Sequence, residues 1–134
     1  MVGINKKIPQ QGEIWLIKFE KLKESRKPFR PCLIISNNSQ NENDEEVIVS
    51  PLTTEEVIVG ETQFFEVPVL ANKETGLDEP SRVLLNRIHT VDKELRLIER
   101  LGKVEEKTWI QVWKALLIVF TGKKLNDKHV LEVN

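Results

Sequence analysis

The chain contains few of the residues that build disulfide frameworks or metal centres. Its 134 residues include one cysteine, Cys32, and two histidines, His89 and His129. A single cysteine excludes a disulfide within the chain, and these three residues do not have the spacing of metal ligands. The formal net charge is only −1, which argues against a bulk polycation that coats nucleic acid but leaves room for a local basic patch.

Long hydrophobic runs are also absent. The longest apolar run, 115–120, is far shorter than the roughly 20 residues that a membrane-spanning helix needs. The N-terminal segment "MVGINKKIPQQ" lacks the apolar stretch of a signal peptide, so we expect a cytoplasmic protein without a membrane partner. With 40% hydrophobic and 31% charged residues, the sequence predicts one globular domain over 1–134, its core at about 10–122 and a loosely held tail at 123–134.

Short β-forming runs separated by turn residues predict five or six strands. They are 13–19, 31–36, 46–54, 63–69, 82–90 and 95–104. The acidic segment 37–46 has no apolar residue and is predicted as a loop. The short connections favour antiparallel pairing, and the expected architecture is a small, strongly curved barrel with a helix packed at its side.

The hydrophobic period changes to that of a helix near Glu105. The apolar stripe consists of Trp109, Val112, Trp113, Leu116, Leu117 and Phe120. Gly122, followed by two lysines, predicts the C-terminal end of this helix. Further apolar residues widen the stripe until little polar surface remains, so we expect a dimer interface near the helix.

Positive charge is concentrated before the second predicted strand. Between Lys18 and Arg30 there are six cations and two anions, and Arg30 directly precedes the apolar run "PCLII". A strand end holds a side chain in a fixed place, and a basic loop attracts phosphate toward it. This pattern indicates an anion site at Arg30, although an ordinary solvated arginine beside a strand is the alternative.

Several of these segments, in this order, resemble the MazF/PemK toxins of bacterial toxin–antitoxin systems. The segments are "GEIWLIKF", "RPCLIIS", "VIVSPLTT", "FEVPV", "GLDEPSRVLLNRIHTVDKELRLIERLGKV" and the terminal helix. The resemblance implies an SH3-like barrel with a C-terminal helix, shared with the CcdB relatives, and a homodimer. It also implies metal-independent, sequence-selective cleavage of single-stranded RNA, without a cofactor. The implied partner is a cognate antitoxin that blocks the site with a disordered C-terminal segment. The toxin would contact DNA only as part of a complex with this antitoxin.

The resemblance also implies roles for individual residues. Arg30 corresponds to the arginine of the family's Arg-Pro motif, and Thr53 corresponds to the threonine that ends the third strand; both would be catalytic. Phe19 matches an aromatic position that lines the RNA groove. Thr54 is a second hydroxyl candidate for the same site.

Two departures from the family pattern bear on RNA recognition. The loop "ESRKPFRP" is one residue shorter than usual and lacks glycine, and Glu24 is its candidate acidic residue. In the fifth strand "RIHT" replaces the common Gln-Ile-(Arg or Lys)-(Thr or Ser), so that Arg87 stands for the glutamine and His89 for the cation. We expect both side chains to line the RNA groove.

Two alternatives to RNA cleavage remain open from the sequence. One is a non-enzymatic gyrase inhibitor of the CcdB type that binds through the terminal helix, and the other is a nucleic-acid-binding barrel that has lost cleavage. The Arg-Pro and Pro-Leu-Thr motifs favour the nuclease. Cys32 is expected to be a small core residue rather than a nucleophile.

Among these candidate site residues, His89 is the one that titrates near neutral pH, because an arginine stays protonated up to a pH of about 12. We expect it either to contact RNA or to set the pH dependence of the reaction. Strand alternation that directs it toward a dimer partner is the alternative.

Overall fold

The computed structural model describes residues 7–19, 28–54 and 64–124. The basic segment 20–27, with Glu24, and the tail from 125 onward lie outside the described residues. The elements in chain order are β1 (Glu13–Lys18), β2 (Phe29–Ile34), α1 (Asn38–Asn43), β3 (Glu46–Thr53), β4 (Glu66–Val69), β5 (Ser81–Leu84), β6 (His89–Asp92), α2 (Lys93–Arg96), β7 (Leu97–Lys103) and α3 (Glu106–Thr121).

The strands form one antiparallel sheet in the order β4-β5-β3-β2-β1-β7, and β6 pairs with β3 beside this path. Between the described residues of the two outer strands, β4 and β7, no pairing closes the sheet into a complete barrel. The sheet and the long helix α3 confirm the predicted class, mostly β with a C-terminal helix. Pro68 lies on the outer strand β4, as its missing N–H favours.

The fifth predicted strand, 82–90, is wrong as a single element, because the chain turns at 85–87. The Arg87 amide donates to the Leu84 carbonyl at 3.1 Å, and this turn separates β5 from β6. The two strands then pair with different parts of β3, so that β6 lies beside Glu46–Val49 and β5 lies beside Leu52 and Thr53. β3 therefore connects both halves of the sheet. The sixth strand also starts later than predicted, at Leu97, after the helical turn α2.

The acidic segment after β2 is a short helix, α1, rather than the predicted loop. The Asn37 side chain accepts a hydrogen bond from the Gln40 amide and caps the helix. Asn41 is fully buried, and its amide nitrogen donates to the Ser36 carbonyl at 3.0 Å. The buried ammonium of Lys93 donates to the Asn41 carbonyl at 2.7 Å, which ties α1 to α2. Polar side chains thus stabilise this segment, which a hydrophobic pattern cannot indicate.

Strand alternation separates the buried residues into two hydrophobic cores on opposite faces of the sheet. The helix-side core contains Ile14, Leu33, Leu52, Val67, Val69, Val83, Leu85, Val104, Val112 and Ala115. The opposite-side core contains Ile17, Phe19, Cys32, Ile34, Val47, Val49, Val91 and Leu97. Cys32 is fully buried, which confirms its prediction as a core residue.

The helix α3 ends as predicted but presents two apolar faces. Gly122 has φ 70°, and its amide donates to the Ile118 carbonyl at 2.8 Å. Val112 and Ala115 are buried, and Trp109 and Leu116 pack against the helix-side core. By contrast Trp113 is 46% exposed and Phe120 is 72% exposed, so these two residues of the predicted apolar stripe face away from the helix-side core.

Together with Ile110, which is 46% exposed, Trp113 and Phe120 recur at the spacing of one helix face. We call these three residues the exposed α3 face. Within the described ranges, no helix is long and apolar enough to cross a membrane.

Candidate functional site

Arg30 is held in place at the second position of β2. Its backbone pairs with Ile17 of β1, and its guanidinium donates to the Leu52 carbonyl of β3 at 3.1 Å. The neighbouring Pro31 has no N–H, and the hydrogen-bonded ladder between β2 and β3 starts at Cys32. The Arg30 side chain therefore connects the two strands at the point where their ladder begins. A guanidinium has five N–H donors, so this bond leaves others for a ligand.

Alternation places Arg30 on the same face of β2 as Cys32 and Ile34, which belong to the opposite-side core. The electrostatics agree with this placement. Burial raises the pKa of the Cys32 thiol, and the positive charge of Arg30 counteracts the rise in part. The thiol is thus protonated and enclosed, and the guanidinium lies beside it at the partly exposed edge of this core.

The rings of Phe19 and His89 form the next part of the site. Their centroids are 5.2 Å apart with an interplanar angle of 60°. Phe19 follows β1 and is buried in the opposite-side core, and its amide donates to the Pro28 carbonyl at 2.7 Å. His89 begins β6, opposite Val49 of β3, and is partly exposed. Strands β1 and β6 are not neighbours, so these two rings meet across the curved face of the sheet.

Two arginines act on the His89 imidazole. Burial lowers the pKa of His89, and the charges of Arg30 and then Arg87 lower it further. Arg87 lies in the turn before β6, exposed to solvent. The imidazole is therefore neutral near pH 7, because protonation would place a third positive charge beside the two arginines.

Thr53 ends β3 and lies opposite Arg82 of β5. By alternation it shares a face with Val47 and Val49 of the opposite-side core, and hence with Arg30. Thr54 lies one residue beyond the strand and is exposed, and the described contacts do not join it to the other candidates. We call the set Phe19, Arg30, Thr53, Arg87 and His89 the basic face.

Sequence patterns did not single out two residues next to this face. Arg82, opposite Thr53, forms an ion pair of 2.6 Å with the buried Glu66 of β4. Phe29, beside Arg30, is 46% exposed, and the Lys18 ammonium lies 6.0 Å from its ring centroid. An aromatic residue directly before a candidate anion-binding arginine could have drawn attention to Phe29. Arg82 and Glu66 are 16 residues apart in the sequence, so no local sequence pattern indicates that they pair.

The chemistry of the basic face suits a phosphodiester. A guanidinium can hold two phosphate oxygens at once, and a hydroxyl can donate to a third oxygen. A neutral imidazole can accept a proton. In the three described stretches no three His, Cys, Asp or Glu side chains are grouped as a metal site.

Comparison with known proteins gives a family and a set of similar structures. Residues 10–120 match the family described as PemK-like, MazF-like toxin of type II toxin-antitoxin system. An endoribonuclease from Mycobacterial species is 23% identical, with a TM-score of 0.66 over 86% of this chain and 93% of its own. A second, solved as an endoribonuclease in complex with its cognate antitoxin from Mycobacterial species, is 25% identical, with a TM-score of 0.65 over 83% of this chain and 93% of its own.

The MazE-MazF complex of Deinococcus radiodurans contains a chain that is 19% identical, with a TM-score of 0.64 over 85% of this chain and 96% of its own. At this identity the likeness concerns the fold alone. The search of curated proteins found no match.

Proposed function

The chain belongs to the family of PemK-like, MazF-like toxins of type II toxin–antitoxin systems, and on that premise we propose that it is an endoribonuclease. It cuts single-stranded RNA at a preferred short sequence without a metal ion. The observation that carries this proposal is the Arg30 guanidinium, anchored to the Leu52 carbonyl and partly open to solvent beside a neutral imidazole. Solved endoribonucleases with the same fold support it.

RNA supplies its own nucleophile, the 2′-hydroxyl next to each phosphate. When this oxygen attacks, negative charge grows on the non-bridging phosphate oxygens. Arg30 stabilises that charge with two N–H donors, and the Thr53 hydroxyl donates to a neighbouring oxygen. Because the bond to Leu52 fixes the guanidinium before substrate arrives, the favourable charge is in place when the transition state forms.

The rest of the basic face binds the RNA strand. Arg87 is exposed and contacts phosphate, whereas His89 contacts a base or ribose from its position against the buried Phe19 ring, which lines the groove from below. Thr54 adds a hydroxyl at the end of β3. Phe29 lies one residue before Arg30 and, by strand alternation, on the other face of β2, so its exposed ring can stack on an unpaired base where the RNA passes the end of the strand. Such stacking favours single-stranded over double-stranded RNA.

The protein acts in the cytoplasm and is neutralised by a cognate antitoxin whose disordered C-terminal segment covers the basic face. A solved relative bound to its cognate antitoxin supports this partner. DNA is contacted only through the antitoxin. Two copies associate through the exposed α3 face, because a surface with a tryptophan and a phenylalanine so open to water is typical of an interface.

The test is cleavage of a long single-stranded RNA in excess EDTA, with mapping of the cut ends. Wild type should cut at one short motif and leave 2′,3′-cyclic phosphate ends. Arg30→Ala should lower the rate by about 100- to 1,000-fold, the usual effect of removing one such donor. Arg30→Lys keeps the charge but loses the fork, so it should recover only part of this rate.

Lys73→Ala is the matched control for loss of a cation. Lys73 is exposed in a turn that contacts β7 at Lys103, and Lys103 pairs with the start of β1. Arg30 pairs with the other end of β1, so the two cations lie at opposite ends of that strand. This variant should keep the wild-type rate. Absence of cutting by antitoxin-free wild type over a broad RNA panel would refute the proposal and favour a non-enzymatic inhibitor.

A further inference from the structure

We propose that His89 is the proton acceptor for the attacking 2′-hydroxyl, an inference that rests on the RNA cleavage proposed above. The side chain begins β6, is partly exposed on the basic face, and lies against the Phe19 ring at 5.2 Å. The tilted ring contact limits the orientations of the imidazole. Its neighbours on this face are two arginines that a phosphate would bridge.

The other side chains of the basic face cannot accept this proton. The guanidinium of Arg30 stays protonated at any pH at which the protein functions. Thr53 is a neutral hydroxyl, and the Cys32 thiol is enclosed in the core with its pKa raised by burial. Thr53 lies opposite Arg82 of β5, and Arg82 forms an ion pair of 2.6 Å with the buried carboxylate of Glu66 on β4. Glu66 is therefore the rival candidate that the experiment must include.

The surroundings of His89 keep its imidazole in the form that accepts a proton. The charged groups that act on it are Arg30 of β2 and Arg87 of the preceding turn; Phe19 after β1 and Val49 of β3 contribute uncharged groups. Burial and the two positive charges lower the pKa of His89 below the ordinary 6.5. The cost is a weaker base, since a lower proton affinity reduces the drive to take a proton.

Substrate binding removes this cost. A phosphodiester held by Arg30 and Arg87 brings a negative charge to the two groups whose positive charge lowers the pKa of His89. The proton affinity of the imidazole therefore rises when the RNA arrives. The base is neutral in the free protein and becomes stronger in the complex, where the proton must be taken.

The step balances as follows. The imidazole nitrogen takes the 2′-hydroxyl proton while the O2′–P bond forms and the P–O5′ bond breaks. The leaving O5′ takes a proton from water, and the imidazolium afterwards returns its proton to the hydroxide that remains. The products are a 2′,3′-cyclic phosphate and a 5′-hydroxyl, and the net proton count is unchanged.

The experiment compares the pH–rate profiles of wild type, His89→Asn and Glu66→Gln on one RNA oligonucleotide in EDTA. Asparagine retains a polar side chain of similar size but cannot take a proton. We expect kcat of His89→Asn to fall by about 100- to 10,000-fold and its acidic limb to disappear. The same oligonucleotide with a 2′-deoxy residue at the cut position binds but has no proton to give, so it measures the loss of the RNA contact alone. His89→Asn should weaken the affinity for it far less than it lowers kcat.

In wild type, the acidic limb of kcat/KM reports the free protein and that of kcat reports the complex. We expect the midpoint of the kcat limb to lie at higher pH, and Arg87→Gln to bring the two midpoints closer together. Added imidazole should restore part of the rate of His89→Gly. A purely structural role for His89 predicts none of these three results.

The outcomes separate the inference from the function on which it rests. Wild type that cuts no RNA overturns both. The nuclease proposal stands but this role of His89 is overturned if Arg30→Ala loses cutting while His89→Asn keeps a kcat within about threefold of wild type and keeps the acidic limb of its pH profile. Loss of the acidic limb in Glu66→Gln alone also overturns it. Thermal melting identifies any unfolded variant, and His89→Gln then replaces His89→Asn.

Discussion

Two glycines with nearly the same positive φ angle allow a close approach in the fold to be measured. Gly76 has φ 71° and Gly122 has φ 70°. A Cβ on Gly122 would meet no atom within 4 Å, whereas a Cβ on Gly76 would overlap the carbonyl of Leu101 in β7. Alanine at either position is forced into the left-handed region, so the difference between the two variants isolates the overlap.

The left-handed conformation costs an L-residue roughly 1–2 kcal/mol, and reduced freedom of the unfolded chain returns about 0.4–1 kcal/mol. We therefore expect Gly122→Ala to lower the free energy of unfolding by about 1 kcal/mol. At Gly76 the overlapping atoms belong to the backbone and cannot rotate away, and such overpacking adds typically about 1–3 kcal/mol. Gly76→Ala should thus lose about 2–4 kcal/mol in total.

Urea unfolding of wild type and both variants, with the m-value compared, measures these losses at one protein concentration. Losses that agree within about 0.5 kcal/mol would refute the argument, because they would mean that the 72–76 turn does not rest closely on β7. An unchanged m-value is the condition for the comparison, since a changed m-value reports an altered native or unfolded state.

Three further predictions concern charge, packing and association. Because the pKa of His89 is lower in the fold than its ordinary 6.5, the unfolded chain takes this proton first as the pH falls. The free energy of unfolding of wild type should therefore fall below that of His89→Asn from about pH 7 downward and the difference should become constant below the folded pKa, whereas the two curves should run parallel above pH 7. Urea titrations at several pH values test this, and curves that stay parallel at every pH would contradict it. Lys93→Met leaves the Asn41 carbonyl without its buried donor, so a loss of about 1–3 kcal/mol in the same unfolding assay is expected, and no loss would mean that the contact between α1 and α2 is not stabilising. Trp113→Glu places a charge on the exposed α3 face and should convert a dimer into a monomer by light scattering, whereas Gln111→Glu, exposed next to it but outside that face, should not.

The parts of the fold that depend on local signals were predicted well. The helical period and Gly122 located α3 and its end, and β-forming runs bounded by turn residues located β1 and β3. The division of 82–90 into β5 and β6 was missed, because no glycine or proline interrupts that run and the turn depends on pairing with two parts of β3. The short helix α1 was missed because its buried contacts are polar: Asn41 donates to the Ser36 carbonyl just before the helix, and Lys93 of α2 donates to the Asn41 carbonyl.

The site shows the same division. Phe19, Arg30 and His89 could each be selected from the sequence, but their meeting depends on which strands neighbour β3 and how the sheet curves. Which residues of α3 face the core could not be decided either, because the helix is apolar on nearly every side and its packing against β4 and the rest of the helix-side core selects Val112 and Ala115. The roles of the site residues remain predictions until the variants are assayed.

The two separate cores have a consequence for redesign. Consecutive residues of β2 belong to different cores, with Leu33 under α3 and with Cys32 and Ile34 under Arg30. A library that varies the exposed Arg87 and Phe29 changes side chains that lie outside both cores, and it leaves the helix-side packing untouched. On the proposed function, successive substitutions at these positions can therefore alter RNA recognition while both cores stay unchanged.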